Sequence, residues 1–158
     1  MKRFFQHLLN ELRFSDDVSD SRQHTLEIAA SVILLETAAS DKDISDEELK
    51  EISEILQEHF HLTTEEITDI LAAAEGIRQD AIDLHQFTKT INSLCSRKQK
   101  LKLMESIWQV VYTDGRLDKH EDHLVHKLAR LLHIDHKDFI KAKLKIREQR
   151  SSGVEHGS

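Results

Sequence analysis

Apolar residues recur every three to four positions through most of the chain, which is the period of an amphipathic α-helix. Several of these stretches open on a capping box, in which a hydroxyl and an acid or amide three residues later bond each other's backbone N–H groups. The boxes run from Ser45 to Glu48, from Thr63 to Glu66 and from Ser96 to Gln99. The pattern predicts helices near residues 2–14, 21–39, 46–60, 64–75, 83–94, 97–113, 119–132 and 136–149.

The chain of 158 residues contains no proline and only four glycines, so almost nothing interrupts these helices. We therefore expect an all-α fold, a compact bundle of seven to eight helices in one domain over residues 1–150. The polar segment 151–158 is expected to be a mobile tail. Segments 26–39 and 101–112 are apolar over most of their circumference, which predicts a central pair of helices.

The chain contains an internal repeat. A shift of 73 residues superimposes one half on the other and pairs Asp41 with Asp114, Ile44 with Leu117, Glu48 with Glu121, Ile52 with Val125, and Ile55 with Leu128. The halves, about 22–75 and 97–147, are expected to pack about a pseudo-two-fold axis. The amphipathic segment 2–14 is expected to dock onto the helical core, although a place on a membrane surface stays open.

The two turns of this repeat carry a family resemblance. Asp41-Lys42-Asp43-Ile44 with Glu48, and Asp114-Gly115-Arg116-Leu117 with Glu121, resemble the doubled acidic signature of the tellurite-resistance TerB family. The resemblance implies an all-helical repeated fold, divalent-metal binding at the acidic turns and no enzymatic activity. It also implies a bacterial stress or metal-resistance setting with membrane-associated protein partners.

A metal site at these turns would have only oxygen ligands: Asp41, Asp43, Glu48, Asp114 and Glu121. Such ligands suit Ca²⁺, Mg²⁺ or Mn²⁺ better than Zn²⁺. A helical projection directs Glu48 and Glu121 toward the apolar stripes of their helices, where a carboxylate must be paired, hydrogen-bonded or metal-bound. The alternative is structural, because both glutamates occupy the third helical position and can complete a capping box.

The histidines offer a second set of candidate ligands. His120, His123 and His126 follow each other at steps of three on one predicted helix, a spacing that could hold Zn²⁺ or Ni²⁺. They lie mainly away from the apolar stripe, which favours a solvated polar face. His61 and His133 recur in the repeat and are interpreted as helix-end residues.

Charge and composition bound the function. The net charge of −7 disfavours nucleic acid, the single cysteine Cys95 excludes an internal disulfide, and no segment reaches the roughly 20 apolar residues that span a bilayer. No phosphate loop, nucleophile elbow or zinc-protease motif is present. These features predict a non-catalytic cytoplasmic module, peripheral to the inner membrane at most. The alternative is a protein-interaction scaffold whose acidic turns only cap helices.

Overall fold

The computed structural model describes residues 18–39, 44–80, 83–113 and 119–157, with side chains described for 24–39, 44–80, 83–113 and 123–150. Seven α-helices and no strand occur in these ranges. They are α1 Val18–Ala38, α2 Asp46–Phe60, α3 Thr64–Asp80, α4 His85–Leu94, α5 Arg97–Thr113, α6 Lys119–Leu131 and α7 His136–Gly157. The predicted all-α class is confirmed. The predicted helix 2–14 lies outside the described residues.

Two helices continue past their predicted ends. Helix α3 runs to Asp80 instead of residue 75, because Gly76 costs only about 1 kcal/mol within a helix and Ile77 extends the buried stripe by a turn. Helix α7 runs to Gly157 instead of residue 149, since no proline stops it. The backbone of 151–157 is therefore helical where we expected a tail, and the mobility of that segment stays a prediction.

Helix α1 is the centre of the bundle. Every residue from 27 to 35 is buried, and α1 contacts α2, α3, α4, α5 and α6. The hydroxyls of Ser31 and Thr37 donate to the carbonyl oxygens of Glu27 and Ile33 at 2.7 and 2.8 Å, so these buried polar groups are satisfied within the helix. Helix α5 packs on α1 and buries Met104, Ile107 and Trp108 among others. The predicted central pair is confirmed.

The contacts between helices repeat as the sequence does. In each half the first helix contacts the second and third, as α1 contacts α2 and α3 and α5 contacts α6 and α7. Each of these first helices also contacts the second helix of the other half. This reciprocal pattern is what the predicted pseudo-two-fold arrangement requires.

The ends of the second helices repeat as well. His61 caps the C-terminus of α2 with φ 55°, and His133 follows α6 with φ 58°. No other non-glycine residue of the described ranges has a positive φ. The N–H of His61 donates to Gln57 O, and that of Ile134 donates to Ala129 O, both at 2.9 Å. Both histidines therefore occupy left-handed C-terminal positions, which confirms their interpretation as helix-end residues.

Candidate functional site

The two acidic turns connect equivalent helices. In the sequence, Asp41 and Asp43 lie between α1 and α2, and Asp114 lies between α5 and α6. All three lie outside the described residues. Glu48 and Glu121 are each the third residue of their helix, as the repeat predicts. The side chain of Glu121 is not among those described. The structure therefore gives side-chain geometry for Glu48 alone of the five predicted ligands.

Glu48 is a buried carboxylate, with 8% of its surface exposed. Its Oε1 accepts a hydrogen bond from Ser45 N at 3.1 Å, and Ser45 Oγ accepts one from Glu48 N at 3.1 Å. The inward direction expected from the helical projection and the capping box expected from the spacing are both present. They coexist because the third helical position of α2 also faces Ile52 and Leu56 of the core.

Two further capping boxes show what the cap alone requires. Thr63 with Glu66, and Ser96 with Gln99, make the same pair of bonds at 2.8 to 3.2 Å. Glu66 and Gln99 are nevertheless exposed. Hydrogen bonds from the backbone and the hydroxyl of Thr63 hold the pKa of the Glu66 carboxyl below its ordinary value. Burial of Glu48 is therefore a feature that capping does not explain.

The histidine set is only partly described. His123 and His126 are exposed on α6, as expected for a polar face, and the His126 ring centroid lies 4.6 Å from that of Phe139. The side chain of His120 falls outside the described ones. Within the described side chains, no group of three or more His, Cys, Asp or Glu residues is placed to hold a metal ion.

A polar network lies at the C-terminal ends of α1 and α3. Arg78 on α3 donates from Nε and Nη2 to the two carboxylate oxygens of Glu75 at 2.9 and 2.6 Å, and from Nη1 to Glu36 on α1 at 3.1 Å. Arg78 and Glu75 line an open cavity of about 390 Å³ together with Ile44 and Leu49. The network ties α3 to the end of α1 from which the first acidic turn departs. No sequence signal indicated it, since Arg78 and Glu36 are far apart in the chain.

We expect Arg78→Met to destabilise the protein at pH 7 by about 1 kcal/mol, allowing for solvent screening of partly exposed carboxylates. Hydrogen bonds from Arg78, and secondarily from Gln79, lower the pKa of the Glu75 carboxyl. A lowered pKa contributes stability above the unfolded value of about 4.3 that is lost as pH falls through the folded value. Thermal unfolding between pH 7 and 3 should therefore show the two proteins converging. If the difference in stability between the two proteins is the same at pH 3 as at pH 7, the stabilising role of the Arg78–Glu75 pair is contradicted. The same follows if Arg130→Met, at the exposed Arg130, destabilises the protein as much as Arg78→Met.

A second cavity, of about 220 Å³, lies between α1, α2, α4 and α5. It contains a partly buried polar contact, because Ser106 Oγ lies 3.2 Å from His59 Nε2. The sequence reasoning missed this pair. Its one sequence signal is Ser106 itself, a small polar residue on the otherwise apolar buried side of α5.

The fold and the placement of the turns define an all-helical protein of two matching halves, each with an acidic connection before its second helix. The family model of the tellurite resistance protein TerB matches residues 27–144. This chain belongs to the TerB family. The TerB domain is generally non-catalytic. No curated protein and no solved structure matches the chain, and no helix of the described ranges is long and apolar enough to cross a membrane.

Proposed function

We propose that this TerB domain is a non-catalytic module that binds a divalent cation at its paired acidic turns. Asp41, Glu48, Asp114 and Glu121 supply carboxylate ligands, and Asp43 supplies a further one. An all-oxygen set selects Ca²⁺, Mg²⁺ or Mn²⁺ over Zn²⁺. The module serves bacterial stress or tellurite and metal resistance in the cytoplasm, at the periphery of the inner membrane, beside a protein partner.

The burial of Glu48 carries this proposal. A buried carboxylate is costly unless its charge is compensated, and the capping box supplies one neutral backbone donor to Oε1. Glu66 makes the same cap in water, so the fold can cap a helix without this cost. A bound cation would compensate the charge of Glu48. The family match and the equivalent position of Glu121 extend the argument to the second turn.

The test is thermal unfolding of metal-free protein with and without each of Ca²⁺, Mg²⁺, Mn²⁺ and Zn²⁺. An ion at 100 times its Kd stabilises the folded state by about 2.7 kcal/mol, a rise of several degrees in Tm for a chain of this size. Glu48→Gln should abolish most of that rise, because glutamine keeps the capping bond and removes the charge. Glu121→Gln should do the same if both turns bind.

Glu66→Gln is the matched control, since it makes the same substitution in an exposed cap. It should leave the metal-induced rise intact. If no ion raises the Tm of the unaltered protein, or if Glu66→Gln and Glu48→Gln act alike, the cation proposal fails. The acidic turns are then structural caps, and the module is an interaction scaffold.

A further inference from the structure

The cavity between α1, α2, α4 and α5 has an apolar floor and a polar mouth. Leu34 and Leu56 and Ile91, each almost fully buried, form the floor from three helices. His59 and Lys102 line the same cavity and are exposed, so they place it in contact with solvent. An apolar concavity with a few polar groups on one side is the usual form of a small-molecule site.

The polar groups at the mouth are mainly donors. Gln99 Oε1 already accepts from Ser96 N at 2.8 Å, and the NH₂ of that side chain has two hydrogens to donate to a ligand. Ser106 Oγ lies 3.1 Å from Lys102 O and 3.2 Å from His59 Nε2, so these groups satisfy each other, and the Gln99 amide and Lys102 remain for a ligand. The Lys102 ammonium adds a positive charge and three donors. Acceptor-only, anionic head groups match this set.

The size of the cavity limits the apolar part of the ligand. Its volume of about 220 Å³ exceeds the roughly 150 Å³ of an apolar cavity that takes up benzene, and falls short of the roughly 300 Å³ at which drug-sized pockets begin. The apolar part of the ligand therefore lies between benzene and a drug-sized molecule in size, which is the range of a medium-chain alkyl group.

We propose that this cavity binds a medium-chain fatty acid, with its alkyl chain on the floor and its carboxylate at Lys102 and Gln99. The chain length follows from the volume and the head group from the donors and charge at the mouth. The described lining of this cavity contains Lys102 and no aspartate or glutamate, although the protein carries a net charge of −7. The site is separate from the acidic turns and does not depend on metal binding there.

The sole cysteine is a built-in reporter for this site. Cys95 lines the cavity and is partly buried, and burial raises the pKa of its thiol while Lys100 opposes this shift. The thiol therefore reacts slowly at neutral pH and detectably at pH 8.5. Octanoate in the cavity should cover it and slow its alkylation by N-ethylmaleimide severalfold.

Octanoate binding to the full chain is measured by titration calorimetry and by the rate of Cys95 alkylation. We expect one octanoate per chain and protection of Cys95 over the same concentration range. Lys102→Glu should weaken binding by about tenfold or more, because it replaces the attractive charge with a repulsive one. Lys98→Glu, at an exposed lysine of α5 that does not line the cavity, should change the affinity by less than about twofold.

Two further comparisons test the chain and the head group. Ala30→Leu fills the cavity from α1 and should abolish binding; if that variant does not fold, Leu103→Trp fills it from α5. Octyltrimethylammonium, with the same chain and the opposite charge, should bind far more weakly than octanoate. The proposal fails if octanoate does not bind, or if it binds without protecting Cys95. It also fails if Lys102→Glu and Lys98→Glu lose the same affinity for octanoate, or if octyltrimethylammonium binds as tightly as octanoate.

Discussion

Trp108→Ala should lower the free energy of unfolding by about 3–5 kcal/mol. The Trp108 side chain is fully buried on α5, and its ring centroid lies 5.2 Å from that of Phe139 on α7 and 5.9 Å from that of Tyr112. Lys143 Nζ lies 5.4 Å from the centroid of the same ring. Alanine would leave a cavity between α5 and α7 and remove the aromatic and cation–π contacts that join these helices.

Trp108→Phe should lower the free energy of unfolding by about 1 kcal/mol, far less than Trp108→Ala. The indole Nε1 is buried and has no hydrogen-bond partner in the described part of the structure, so tryptophan itself carries a desolvation penalty. Phenylalanine keeps most of the apolar contact and removes that donor. Urea unfolding followed by far-UV circular dichroism compares the three proteins, because Trp108 is the only tryptophan and cannot serve as a common fluorescent probe. Equal losses in the two variants would show that the indole N–H is paired in solution.

Leu128→Ala should lower the free energy of unfolding by about 2–5 kcal/mol. Leu144→Ala should change it by no more than about 0.5 kcal/mol. Leu128 on α6 is fully buried, and Leu144 on α7 is 48% exposed, so the same substitution is made in two environments. Ile55 on α2 occupies the place of Leu128 in the other half and is 4% exposed. Ile55→Ala should therefore lower the free energy of unfolding by about as much as Leu128→Ala.

Thermal unfolding of these variants also tests whether the halves unfold together. Because α1 contacts helices of both halves, each buried substitution should lower a single transition of the whole protein. A second, separate transition in either variant would show that the halves unfold independently. A loss of stability in Leu144→Ala equal to that in Leu128→Ala would mean that Leu144 is covered in solution.

The features that the sequence predicted are those that local pattern determines. The period of apolar residues predicted the helices, and the spacing of hydroxyl and acid predicted three capping boxes that the structure contains. The repeat predicted equivalent burial, as in Ile52 and Val125, both fully buried. The predicted helix 136–149 ends earlier than α7, which continues to Gly157 because no proline lies in that segment.

The features that the sequence did not predict depend on how helices pack. Arg78 and Glu36 meet because α3 crosses the C-terminal half of α1, and His59 and Ser106 meet because α2 crosses α5. Neither crossing is encoded in local spacing. At Glu48 the sequence predicted both an inward carboxylate and a cap, and both are present. Spacing alone cannot decide whether a cation also binds there, because a cap and a ligand place the same residue at the same helical position.

The central place of α1 has a consequence for synthesis. A ribosome makes α1 before the helices that surround it, and α5 is complete only 75 residues after α1 ends. At about 5–20 residues per second, this interval lasts roughly 4–15 s. During this interval, residues 27–35 of α1, all of which are buried in the folded protein, are not yet covered by α5. Aggregation through α1 during translation is therefore the characteristic hazard of this topology, and slow translation between α1 and α5 would increase it.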